Sequence, residues 1–115
     1  QFSGVTLGLY HGTAPHVLVL CHLAGAAEIE GCPGHRIPPL ADLVDLYERL
    51  ALPARPATVA AIALNTAGLE EETAREAVAT AERETGLVAD DPVRFGAERL
   101  LEAIVARIPS GITRA

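Results

Sequence analysis

A chain of 115 residues, half of it apolar, 21% charged and carrying a formal net charge of −6, has room for one domain or part of one, with enough apolar surface for a core. Its apolar residues are mostly aliphatic, and 2 Phe, 2 Tyr and no Trp leave no stacking platform for single-stranded nucleic acid. All 9 basic residues are Arg, so the chain lacks the positive balance for phosphate-backbone binding and the lysine of a P-loop or a Schiff base.

Residues 1–12 place Gly4, Gly8 and Gly12 four apart, which suits either a helix face packed closely against a sheet or a loop. The run 17–21, Val-Leu-Val-Leu-Cys after Pro15, reads as a first buried strand. A long loop spans 25–39, and loops of such length carry function more often than bare connections do. Pro38-Pro39 then introduces a helix over 40–50, with Leu40, Leu43, Val44, Leu46, Tyr47 and Leu50 at spacings of three and four. Pro53 to Pro56 is a connector, and 59–64, Val-Ala-Ala-Ile-Ala-Leu, a second strand ending at Asn65.

A second helix covers 70–85, with Ala74, Ala77, Val78 and Ala81 inward, acidic residues in its first turn and Gly86 at its end. A weaker third strand, 87–89, precedes Asp90-Asp91-Pro92, and a third helix covers 97–108. Strands without polar alternation, separated by helices, predict an α/β fold with a parallel sheet of about three strands and flanking helices. A sheet that narrow has two edges to protect, which points to a missing partner half. A chain without Met that opens Gln1-Phe2-Ser3-Gly4 is likewise expected to be a fragment, or to have lost a leader. The expected compartment is the cytoplasm, and no apolar run reaches the ~18 residues of a membrane span.

In an open parallel sheet, ligands bind outside the carboxyl ends of the strands. Those ends carry Cys21-His22, Asn65-Thr66 and Asp90-Asp91, so all three polar pairs are expected along one edge. His22 suits a general base, or a strand-end cap bonded to backbone. Asn65 suits a purine edge or a substrate amide, or else a turn before Gly68. Asp90 and Asp91 suit a metal or a substrate amine, or ordinary turn chemistry before Pro92. In the long loop Arg36 is the natural anchor for a carboxylate or phosphate, unless Glu28 or Glu30 pairs with it. A zinc set of Cys21, His22, Cys32 and His35 is disfavoured, because neighbours on a strand face opposite ways. His11 and His16 read as surface residues or caps. No metal site is expected.

Several strings in order resemble one family: Ser3-Gly4-Val5-Thr6-Leu7-Gly8-Leu9-Tyr10-His11-Gly12 before the Val-Leu-Val-Leu-Cys-His strand, Ile37-Pro38-Pro39-Leu40, Leu46-Tyr47-Glu48, Ile62-Ala63-Leu64-Asn65-Thr66, and Asp91-Pro92-Val93-Arg94-Phe95-Gly96. It is the formerly uncharacterised family that includes the bacterial D-glutamate N-acetyltransferases, and the resemblance runs from Phe2 to Ile108. It implies that residues 1–108 are the C-terminal portion of a three-layer domain like P-loop NTPases of the dethiobiotin-synthetase type, with 109–115 a tail. The phosphate-cradling glycine loop would lie upstream. It further implies acetyl-CoA as co-substrate, an acidic D-amino acid such as D-glutamate as acceptor, and the rest of a longer polypeptide as partner; a homo-oligomer is also expected. Asn65 resembles the Asn that reads a purine edge in dethiobiotin-synthetase-like enzymes, with Thr66 beside it as a second co-substrate contact. On that reading His22 removes the acceptor's proton, and Arg36 and Asp91 hold the acceptor. Competing readings are an ATP- and Mg-dependent ligase or kinase-like enzyme, and a non-catalytic nucleotide-binding or oligomerisation half.

Overall fold

The computed structural model describes residues 3–25, 34 and 36–108; Glu28, Glu30, Cys32 and His35 of the long loop, and the tail 109–115, lie outside the described residues. Seven elements follow in order: α1 (Ser3–Thr13), β1 (Val17–Leu23), α2 (Leu40–Arg49), β2 (Thr58–Asn65), α3 (Glu71–Thr85), β3 (Val88–Asp90) and α4 (Glu98–Arg107). The three strands pair in parallel in the order β1-β2-β3. Both crossovers step in the same direction, so right-handed connections place α2 and α3 on one face, where they touch. Helix α4 returns across β2 and β3 and reaches β1. The sequence neighbours Ala60 and Ala61, which face opposite sides of the sheet, are both buried, as a strand covered on two faces requires.

The core forms where β2 supplies Val59, Ile62 and Leu64, β3 supplies Ala89, α2 supplies Leu40, and α3 supplies Val78 and Ala81. Ala74 and Ala81 let α3 lie close to its neighbours, whereas Ala77 is only half-buried and lines a cavity described below. Gly86 closes α3 at φ 70°, a left-handed conformation that favours glycine, and its N–H donates to the Glu82 carbonyl at 2.9 Å. Where β1 and β2 slip register between Leu18 and Val19, the Val59 N–H donates to the Glu48 carboxylate at 2.9 Å. A donor at the irregularity is thereby satisfied by α2.

Residues 3–13 are helical, which decides between the two readings of the glycine segment. Gly8 and Gly12 are nevertheless exposed, with no atom close to where a Cβ would stand, so they make no close approach to the sheet. Helix α1 is held from its other side: the buried Tyr10 donates its hydroxyl to the Tyr47 carbonyl at 2.6 Å, and His11 Nε2 lies 2.6 Å from the Leu50 carbonyl. Strand β1 extends past the apolar run to Leu23, because Leu23 still pairs with Asn65 and the Ala24 N–H donates to the Asn65 carbonyl at 3.0 Å. His22 therefore sits within the strand rather than beyond it. No helix of the described residues is long and apolar enough to cross a membrane.

The outer edge of β3 is closed by side chains. The Ala89 N–H donates to the Glu82 carboxylate at 3.2 Å, and Arg99 Nη1 donates to the Ala89 carbonyl and to the Asp90 carboxylate, each at 3.2 Å. Arg99 also pairs with Glu82. Arg99→Ala opens this edge and leaves the nearly buried Asp90 carboxylate without its guanidinium. It is expected to lower stability by about 1–2 kcal/mol, since Arg99 and Glu82 are partly solvated, and urea unfolding midpoints measure this.

Candidate active site at the carboxyl edge of the sheet

Parallel register decides what meets at this edge. His22 stands opposite Leu64, Leu23 opposite Asn65, and Asp90 opposite Ala63 on the other side of β2. Alternation along β1 then separates neighbours: Cys21 and Leu23 are exposed, while His22 is half-buried. A zinc site pairing Cys21 with His22 gains nothing from this alternation, and its other two members lie outside the described residues.

Three cavities open here. One of about 340 Å³ is bounded by His22, Leu64, the segment Ile37 to Leu40, and Thr80, Ala81 and Glu84 of α3. A second, of about 840 Å³, runs along the free side of β1 and is mainly apolar, with Leu18, Leu20 and Tyr47 in its wall. The third, of about 870 Å³, is bounded by Cys21, Leu23, Asn65, Asp91, Pro92 and Arg94. His22 borders all three, and among the described residues no other does. Burial pushes the His22 pKa below the ordinary imidazole value, and the Glu84 carboxylate only partly opposes that shift. The ring is accordingly neutral at neutral pH, with a basic nitrogen available.

The other residues singled out from sequence divide into two groups. Asn65 is exposed in the third cavity, where its side-chain oxygen accepts from the Ala67 N–H at 3.0 Å and its amide nitrogen remains to donate. The Asx turn and a binding role are thus compatible. Asp91 and Thr66 are instead committed to each other. The Thr66 N–H and hydroxyl donate to Asp91 Oδ2 at 3.0 and 2.5 Å, while Asp91 Oδ1 accepts from the Val93 and Arg94 N–H groups at 3.0 and 3.1 Å. Thr66 is 0% exposed and Asp91 3%, so neither presents its polar atoms to a cavity ligand as drawn from sequence; they hold two strand ends together. Asp90 is committed to Arg99. Arg36 is exposed and adjoins the 340 Å³ cavity through its neighbour Ile37.

Three residues enter the site that sequence reading passed over. Glu84 and Thr80, one turn apart on α3, line the 340 Å³ cavity together with His22, and the Glu84 charge acts on the His22 ring. Arg94 borders the third cavity and donates Nη2 to the Leu69 carbonyl at 2.7 Å. Arg94 was legible as the basic residue just after the Asp91-Pro92 turn. Glu84 was not, because a carboxylate on a charged helix looks like solvated surface.

Burial alone would raise the Asp91 pKa, but its hydrogen bonds from Thr66, Arg94 and Val93 outweigh burial and lower it. A depressed folded-state value means that this stabilisation is present above the unfolded carboxylate range and is lost as pH falls through the folded value. Asp91→Ala is expected to cost on the order of 2–4 kcal/mol at pH 7. Asn65→Ala, at an exposed position, should cost less than about 1 kcal/mol. The difference between the two variants shrinks in acid, and denaturant titrations at pH 7 and pH 3 check both points.

Comparison with known proteins agrees with this architecture. The family described as "Domain of unknown function (DUF1611_C) P-loop domain" matches residues 1–101. A D-glutamate N-acetyltransferase of Tritonibacter scottomollicae is 39% identical over 107 residues, covering 92% of this chain and 32% of that protein. One of a Pseudoalteromonas species is 29% identical over 101 residues, covering 87% and 30%. The crystal structure of a DUF1611 family protein from Anabaena variabilis superposes with a TM-score of 0.84 at 45% identity, covering 88% of this chain and 30% of that one. The chain thus spans about a third of the length of the curated relatives it matches. With three parallel strands, flanking helices and these matches in agreement, the chain belongs to the DUF1611 family, within its C-terminal P-loop domain.

Proposed function

We propose that the polypeptide carrying this chain transfers an acetyl group from acetyl-CoA to the amino group of an acidic D-amino acid such as D-glutamate, in the cytoplasm. The observation that carries this reading is the position of His22, a neutral imidazole at the meeting point of three cavities. A transferase has to bring two substrates to one base, and a base shared between cavities does that. The names of the two curated relatives supply the reaction class.

The residues fit an adenine-bearing co-substrate at the third cavity. Leu23, Ala63 and Pro92 offer apolar walls, Asn65 offers an amide donor, and Arg94 keeps guanidinium donors beyond the one given to Leu69. Acetyl-CoA would bring an activated thioester; the chain's part is to hold its base and present the acceptor nitrogen to its carbonyl carbon. Arg36 is the candidate partner for the acceptor's side-chain carboxylate. The P-loop description of the family favours a second reading, an ATP-dependent ligase or kinase-like enzyme. For that reading Mg²⁺ ligands would have to come from elsewhere, since Asp90 and Asp91 are committed to Arg99 and Thr66.

Mass spectrometry of the full polypeptide with acetyl-CoA and D-glutamate should reveal the N-acetylated acceptor; ATP consumption with untouched acetyl-CoA would favour the second reading instead. His22→Gln should reduce kcat by about 10²–10⁴-fold, the usual contribution of a positioned base. The rate should rise with pH through a midpoint below the ordinary imidazole value and be flat by neutrality, because the pKa is lowered and the neutral ring is the active form. Asn65→Ala should raise the KM for acetyl-CoA and leave that for the acceptor unchanged.

A further inference from the structure

The 340 Å³ cavity has a chemistry of its own. Its lining is mixed: Leu40, Leu64, Ala77 and Ala81 are apolar, and three side chains are polar, His22 from β1 and Thr80 and Glu84 from α3. Thr80 and Glu84 lie four apart on α3, so their side chains project from one face, neighbours at the scale of an α-amino acid's two backbone groups. The Thr80 hydroxyl accepts a hydrogen bond from Arg83 Nη2 at 3.1 Å, which leaves its own hydrogen to give. Glu84 offers only acceptors. The pair therefore presents a negative acceptor and a hydroxyl donor backed by a cation, side by side.

We propose that this cavity seats the amino-acid end of the acceptor, with Glu84 binding the α-ammonium, Thr80 donating to the α-carboxylate, and His22 beside the nitrogen that reacts. The proposal rests on the acetyl-transfer reading above and deepens it, since it names the subsite and the feature of the substrate that the subsite reads: a free α-ammonium next to a carboxylate. The 340 Å³ volume has room for a single amino acid. The larger cavity across His22 is left to the co-substrate.

The step balances as follows. The bound ammonium loses one proton to the neutral His22 ring. The nitrogen lone pair forms a bond to the thioester carbonyl carbon, and the C–S bond breaks with its electron pair leaving on sulfur. The thiolate takes up the nitrogen's second proton, and the proton on His22 passes to water, so one proton is released per turnover. Charged groups surround His22 on both sides. Glu84 faces it from α3, Asp91 and Arg94 border the adjoining cavity from the segment after β3, and the α2 side contributes the apolar Leu40. Of these, Glu84 is the carboxylate not committed to a partner in the described network, and it favours the protonated ring that the first step creates.

The test compares wild-type full-length polypeptide with Glu84→Gln and Thr80→Val, using D-glutamate, acetyl-CoA and the deaminated analogue 2-hydroxyglutarate. Glu84→Gln should raise the KM for D-glutamate at least tenfold and leave the KM for acetyl-CoA within twofold. By calorimetry the wild type should bind D-glutamate more tightly than 2-hydroxyglutarate, and Glu84→Gln should erase that preference. Thr80→Val should weaken both ligands alike, because both carry the carboxylate. Equal melting temperatures show that each variant is folded, as expected for exposed positions. If Glu84→Gln changes neither D-glutamate binding nor its KM while the wild type makes product, the subsite assignment is overturned and the transferase reading stands. If the wild type makes no product but discriminates for the ammonium through Glu84, the subsite stands and the transferase reading falls.

Discussion

The carboxylate of Asp91 is the constraint on which the site depends. It lies one residue past β3, almost wholly buried, and receives hydrogen bonds from the Thr66 N–H and hydroxyl and from two successive N–H groups of its own turn. A buried carboxylate is costly unless it is this fully bonded, and once bonded it admits few alternative geometries. The ends of β2 and β3 are thereby fixed to one another, which places Asn65 on one wall of the cavity and Arg94 on the other. Two strands that pair over only three residues could not hold that spacing by ladder bonds alone. The turn chemistry expected of an Asp pair before a proline is therefore present and also has a second function, since it is the joint of the cavity.

The sheet treats its two edges differently. At β3 the outward N–H and carbonyl of Ala89 are taken by Glu82 and Arg99, so no strand can add there without displacing an ion pair. At β1 the equivalent side is bordered by an apolar cavity, and the residues of β1 are half-buried or exposed where most of β2 is buried. A continuous apolar strand that remains half-exposed is unusual for a parallel sheet. The asymmetry agrees with the chain spanning about a third of its curated relatives. It also explains why His22, on β1, is only half-buried here while its pKa is already lowered by burial.

Much of the fold was legible because the strands state their burial in sequence. Val59 to Leu64 has no polar residue, and only a strand covered on both faces tolerates that; parallel direction then follows from the helices between strands, and with it the meeting of His22 and Asn65 at one edge. What direction could not decide was commitment. Thr66 and Asn65 are adjacent and equally polar in sequence, yet alternation buries the first and exposes the second, so only the second is available to a ligand. Glu84 was illegible for a related reason. Its place beside His22 depends on which face of α3 looks across the sheet end at β1, a tertiary fact carried by Ala74, Val78 and Ala81 rather than by the glutamate. The four-residue glycine spacing is compatible with the helix that α1 forms, but Gly8 and Gly12 make no close approach to the sheet, and Tyr10 supplies the packed face instead.

These features meet in the electrostatics of His22. In the proposed transfer His22 would accept a proton from an ammonium, and such a base works best neutral at rest and stabilised once charged. Burial against Leu64 and the Pro38 segment supplies the first condition by disfavouring the charged ring. A carboxylate on a rigid helix supplies the second, and because Glu84 belongs to α3 its distance from the ring is set by the same core that packs Val78 and Ala81 against β2. Packing and proton affinity are thus not separate properties in this domain. A change in how α3 seats on the sheet would move the carboxylate relative to the imidazole, and would alter the base without touching it.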